Sequence, residues 1–96
     1  MMRSTAKVAT DKAARYMTQL CKHFAHKLPA SLDGKEGGRI EFPIGACALA
    51  AASDGLFLSV EAENVPDLTK LEKVVADHLI RFMFREPPGE VPWRWA

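Results

Sequence analysis

Ninety-six residues, 48% hydrophobic and 26% charged with a net charge of +1, make one globular domain large enough to bury a core without a metal or disulfide to hold it. That balance excludes intrinsic disorder and argues against a dedicated nucleic-acid binder. No run approaches the roughly 18 apolar residues of a membrane span, and the N-terminus lacks a secretory apolar stretch, so no membrane partner and a cytoplasmic location are expected.

Thr5 to Ala9 alternates and predicts a short strand. Thr10 then offers an N-cap and Asp11 complements the helix dipole, so a first helix should run from about Asp11 to Lys27. Its apolar stripe is Ala13, Met17, Leu20, Phe24 and Leu28, while Arg15, Gln19, Lys22 and His26 occupy the opposite face. His23 lies on the border, near Tyr16, and Pro29 stops the helix. Residues 1–39 hold eight Lys/Arg against three Asp/Glu, and residues 40–96 five against nine. This asymmetry reads first as a basic solvated face on that helix.

From Pro29 to Glu63 the period drops to 2, the mark of a sheet. Ser31 to Leu32 predicts a short strand, 33–38 a turn, and Arg39 to Phe42 a strand with Ile40 and Phe42 inward. Pro43 suggests a sheet edge or a bulge. Gly45 allows a bend before a strand over Cys47 to Ala52, and Ser53-Asp54-Gly55 turns into Leu56 to Ala62. There Leu56, Leu58, Val60 and Ala62 share the dry face, against Phe57, Ser59 and Glu61 on the wet one. Asn64-Val65-Pro66-Asp67 starts a second helix over about Pro66 to Phe84. It should bury Leu68, Leu71, Val74, Val75, His78, Leu79 and Phe82, with Ile80 and Phe84 pointing away. The tail, Val91-Pro92-Trp93-Arg94-Trp95, or a second copy of the chain must cover those two. The fold class predicted is α+β: a two-layer sandwich with an antiparallel sheet of four to five strands and both helices on one face, in the order β-α-β-β-β-β-α.

The chemistry-bearing residues concentrate on the helices. His23-x-x-His26 places two imidazoles within reach of one metal ion, and His78 would complete a three-histidine site if the helices lie side by side. A core-facing His78 needs its ring nitrogens satisfied, by Tyr16, a strand carbonyl or a helix-one histidine. Lining a pocket instead, a neutral imidazole can coordinate haem iron or contact an acid. Arg81 is spaced to pair with Asp77, and Arg85 presents a planar fork suited to carboxylate or phosphate, although the helix dipole also favours it there. Cys21 and Cys47 lack CxxC spacing and read as buried free thiols. No nucleotide-binding loop, nucleophile elbow or split carboxyl pair is present, so no catalytic residue is assigned.

Lys22-His23-Phe24-Ala25-His26-Lys27, the Ile40-x-Phe42-Pro43-x-Gly45 strand and His78-Leu79-x-Arg81-Phe82-x-Phe84-Arg85-Glu86 followed by Trp93 resemble, in that order, a small bacterial family catalogued as domain of unknown function 2218. The resemblance spans nearly the whole chain. Members also occur joined to flavin-binding siderophore-interacting reductases, which implies a tie to iron or haem uptake and a flavin-dependent siderophore reductase as partner. It implies no catalytic residues.

The reading that results is a non-catalytic accessory or ligand-binding domain for iron, zinc or haem. His23, His26 and His78 are its candidate ligands, Arg81 and Arg85 its candidate contacts to acidic groups, and Tyr16 a further lining residue. A rival from another class is a structural module that homodimerises through Ile80, Phe84, Trp93 and Trp95. A third is a small enzyme with His78 as general base.

Overall fold

The computed structural model describes every residue except Lys35 and Ala96. The elements are β1 (Met2–Ala9), α1 (Ala13–Phe24), β2 (Ala30–Asp33), β3 (Gly37–Phe42), β4 (Gly45–Ala52), β5 (Gly55–Ala62), α2 (Val65–Phe82) and β6 (Arg94–Trp95). They form one antiparallel sheet in the order β2-β3-β4-β5-β1-β6. The expected class holds. The sheet has six strands rather than four to five, because the tail supplies β6; β1 also begins three residues earlier than the alternation suggested.

Two-residue loops close the central hairpins. Phe42 pairs with Gly45 around Pro43-Ile44, and Ala52 pairs with Gly55 around Ser53-Asp54. Pro43 therefore makes a turn, where its missing N–H costs no ladder bond, rather than the expected edge or bulge. Gly45 begins β4 instead of bending ahead of it. It is glycine for lack of space: a Cβ there would lie 2.0 Å from the Glu61 carbonyl oxygen and 2.8 Å from Leu71 Cδ1.

Alternation sets which face is dry. Ala6 and Val8, Ile40, Cys47 and Leu49, and Leu56, Leu58, Val60 and Ala62 are all buried beneath the helices. Because β1 lies beside β5 and β2 at the far edge, α1 must cross the sheet, and it rests on β2, β3, β4 and β5. α2 returns over β5, β4 and β1. The stripe Ala13, Met17, Leu20 and Phe24 is buried as expected, joined by Tyr16 and Cys21, whereas Leu28 is only half-buried. α1 is shorter than expected at both ends. Thr10 spends its hydroxyl oxygen on the Lys12 N–H at 3.0 Å, and the helix starts beyond it.

α2 is capped by Asn64, whose side-chain oxygen accepts the Asp67 N–H at 2.9 Å. Leu68, Leu71, Val75 and Leu79 are buried, and Met83 just beyond the helix is buried too. The stripe advances in steps of four after Leu71, so Val74, His78 and Phe82 are displaced onto the flank facing α1 and are half-buried rather than core. The tail folds back over Ile80, one of the two residues it was expected to cover, and leaves Phe84 exposed. Val91 and Trp93 lie beside Ala76 and Ile80, and Trp95 pairs with Ser4 across β6 and β1. One carboxylate oxygen of Glu72 accepts both the buried Ser4 hydroxyl and the Trp95 indole N–H, the latter at 3.0 Å. Ile80 and Trp93 are thereby consumed by packing within the chain, leaving Phe84 and Trp95 as the exposed members of the expected dimer surface.

Gly45→Ala should destabilise the fold by about 2–4 kcal/mol, because the atoms opposing the new methyl include backbone that cannot yield. Urea denaturation checks this; a midpoint within error of wild type would contradict the close approach of Gly45 to β5.

Candidate functional site

The helices meet along a seam, and the seam is aromatic. Phe24, the last residue of α1, stands edge-on to Phe42 of β3 at 5.2 Å between ring centroids, and His78 tilts against Phe24 at 4.8 Å. His23 lies 4.9 Å from the His78 ring with the planes 47° apart, and its other side meets the edge of Phe82 at 5.6 Å. Residues i, i+4 and i+8 of α2 (Val74, His78, Phe82) and the neighbours His23 and Phe24 of α1 thus come together. They do so because the deeper positions at that level belong to Leu79, Val75 and Leu20.

His78 is not sealed in the core as expected. Its Nδ1 lies 2.7 Å from the Val74 carbonyl oxygen one turn earlier. A carbonyl can only accept, so Nδ1 carries the hydrogen, and the position of the lone pair in the uncharged ring is Nε2. Neither Tyr16 nor another histidine satisfies the ring; the helix's own backbone does.

His23 is exposed, yet its pKa lies below the ordinary imidazole value. Partial desolvation among the rings is the main cause, followed by the positive fields of His78, His26, Arg81 and Lys27. It is therefore held neutral where a free histidine would start to protonate. His26 is exposed beyond the end of α1, close enough to contribute to that field but outside the ring contacts. Among the described residues no group of three or more His, Cys, Asp or Glu comes together to hold a metal ion. The expected three-histidine site is thus a two-histidine pair, because the α-helix ends at Phe24 and His26 falls in the turn beyond it.

Arg81 does not pair with Asp77, which is taken by Lys73 at 2.9 Å. Tyr16 and Arg85 belong to a separate cleft on the other side of Phe82, of about 380 Å³, which they line with Lys12, Arg15, Gln19 and Phe84. Spacing held a signal for that grouping: Lys12, Arg15 and Gln19, and likewise Lys12, Tyr16 and Gln19, follow one another at three to four residues. Nothing in the chain's order placed the end of α2 opposite them. Cys21 and Cys47 are both free and buried. Burial pushes the Cys47 thiol up to about 12 and raises that of Cys21 as well, so neither supplies a thiolate near neutral pH.

The family model described as "Uncharacterized protein conserved in bacteria (DUF2218)" matches residues 5–94. The NMR structure of PA4090 from Pseudomonas aeruginosa is similar over 98% of this chain and 96% of its own, at 38% identity and a TM-score of 0.82. No curated protein matches the chain. Among the described residues no helix is long and apolar enough to cross a membrane.

The depressed pKa of His23 has a direct consequence for stability. Below the ordinary value of 6.5 the unfolded chain binds a proton that the folded one resists, so this contribution is complete above that pH and is lost as pH falls below it. Thermal melts between pH 7.5 and 5 should show a decline that is shallower in His23→Gln; equal slopes for the two proteins would contradict the crowded, cationic setting of His23.

Proposed function

From the chain's membership of the DUF2218 family of bacterial proteins, which the match over residues 5–94 establishes, we propose a non-catalytic ligand-binding module whose site is the His23–His78 pair. The ligand class we propose is an anionic metal complex, haem or a ferric siderophore-type chelate, with a flavin-dependent siderophore reductase as the partner. The observation that carries this reading is the pair itself: two imidazoles with ring centroids 4.9 Å apart at the mouth of an aromatic seam, His23 being disfavoured as a cation first by desolvation and then by the positive groups around it.

Electrostatics decides between ligand types. A bare divalent ion such as zinc wants about four ligands, and two imidazoles beside Arg81 and Lys27 offer too few donors in a repulsive field. An anionic chelate brings its own donors, needs only one or two axial imidazoles and gains from the same cations. With Nδ1 of His78 engaged by the Val74 carbonyl, Nε2 is the nitrogen left to a ligand, the uncharged form is favoured for His23, and Phe24 and Phe82 supply apolar walls for a flat ligand. Catalysis has less support. A general base must reach a substrate proton in an enclosed site, and both thiols are buried and protonated.

Titration of the purified protein with haem, ferric iron and zinc tests this. Haem should shift its Soret band saturably, His23→Ala and His78→Ala should each weaken binding at least tenfold, and zinc alone should bind poorly. An unchanged spectrum and no binding heat with any of the three would remove the proposal.

A homodimeric scaffold is the competing reading, favoured by the exposure of Phe84 at 71% and Trp95 at 54%. Light scattering separates the two: a dimer that Phe84→Ser converts to folded monomer supports the scaffold, and a monomeric wild type removes it.

A further inference from the structure

The cleft beyond Phe82 is built differently from the histidine pair. Its floor is Tyr16, whose side chain is 95% buried by residue exposure of 5% and which lines the cleft. No partner for the Tyr16 hydroxyl exists among the described residues, and the oxygen is not sealed from solvent. A phenol buried to that extent usually finds a hydrogen-bond partner; this one lines the cleft without one.

Charge around the opening has one sign. Lys12, Arg15 and Arg85 line it and no carboxylate does. Neither Arg15 nor Arg85 is in an ion pair among the described residues. Glu86, next to Arg85 in sequence, accepts the Thr10 hydroxyl and sits 3.8 Å from Lys12, and it forms an ion pair with neither guanidinium group. The third component is apolar. Phe82 and Phe84 line the same space, and Phe84 keeps 71% of its surface in water with the Arg85 guanidinium carbon 5.6 Å from its ring centroid. A single exposed phenyl is ordinary. Beside two free guanidinium forks and an unpartnered phenol it completes a recognition set: a donor at the floor, bidentate cations at the rim and a ring to stack against.

We propose that this cleft binds a small aromatic oxyanion, a flat ring carrying a carboxylate or phosphate. Tyr16 Oη–H, Arg15 and Arg85 hold the oxyanion, and Phe84 covers the ring. The volume of about 380 Å³ lies at the lower end of the range for small-molecule sites and suits one or two fused rings. The inference goes beyond the histidine-pair reading and stands without it.

Calorimetry on the full chain with 2-naphthoate, 2-naphthyl phosphate, inorganic phosphate and 2-naphthalenemethanol tests it. Both aryl oxyanions should bind saturably, the tighter one identifying the head group, while the neutral alcohol and phosphate alone bind at least tenfold more weakly. Tyr16→Phe keeps the buried ring and removes only the donor, so it should preserve the melting temperature and weaken the aryl oxyanions about tenfold, as expected for a hydrogen bond to a charged group. Joint Arg15→Gln and Arg85→Gln changes, at exposed positions, should abolish binding. His23→Gln and His78→Gln should leave it unchanged, which separates this site from the haem reading. Alcohol binding as tight as naphthoate, phosphate alone as tight as its naphthyl ester, or naphthoate binding indifferent to the arginines would each overturn the proposal.

Discussion

The alternation along β5 is the constraint on which the rest of the molecule depends. Leu56, Leu58, Val60 and Ala62 all face the helices and are almost wholly buried, each of the larger ones contributing about 1.5–3 kcal/mol relative to exposure. A slip of one residue would exchange them for Phe57, Ser59 and Glu61, so the register is strongly specified. β5 pairs with β4 on one side and β1 on the other, and both helices rest on it. With β1 inserted next to β5 and β2 at the sheet's edge, α1 has no route except across the dry face, and α2 has only the strip beside it. The seam between the helices is a consequence of that traffic.

What the seam can hold follows from depth. Positions directly over the sheet are filled by leucine, methionine and valine, leaving no room for an unsatisfied polar group. Positions one flank higher are half-buried, and there a histidine can keep one nitrogen on its own helix backbone and the other free. His78 does this through the Val74 carbonyl, at no cost to the core. Arg81 and Lys27 act on His23 in the same direction as desolvation. A ring that would otherwise titrate near neutrality stays uncharged while its surroundings stay positive. Phe82 contributes to both openings, one ring edge against His23 and its other flank toward Tyr16 and Arg85.

Much of this was legible residue by residue. The strand alternation from Ile40 to Ala62 and the α1 stripe from Ala13 to Phe24 are local repeats, and the residues they placed inward are buried except Phe42, which is half-buried, while Tyr16 and Cys21 join the core beyond them. The Asn64-Val65-Pro66-Asp67 start of α2 is likewise local chemistry. The departures have a shared cause. His78 and Phe82 satisfy the same helical period as Leu71, but the buried stripe of α2 advances toward Leu79 and Met83, so a straight-wheel reading puts the two aromatic rings too deep. β6 consists of two residues with no alternation of their own; it pairs with Ser4 and Thr5 of β1 while Glu72 accepts the Trp95 indole N–H. Asp77 had two lysine or arginine partners at suitable distance, and only side-chain packing chose Lys73 over Arg81.

The order of residues by itself determined the secondary structure, the one-sided sheet and the list of side chains with chemistry to offer, because these depend on periods of 2 and 3.6 and on interactions within a few positions. Which of those side chains meet was decided by tertiary structure alone. His23 faces His78 across a separation of 55 positions, and Tyr16 shares a cleft with Arg85 across 69, because the crossing of α1 over the sheet and the tilt of α2 bring their flanks together. No local pattern encodes those two angles.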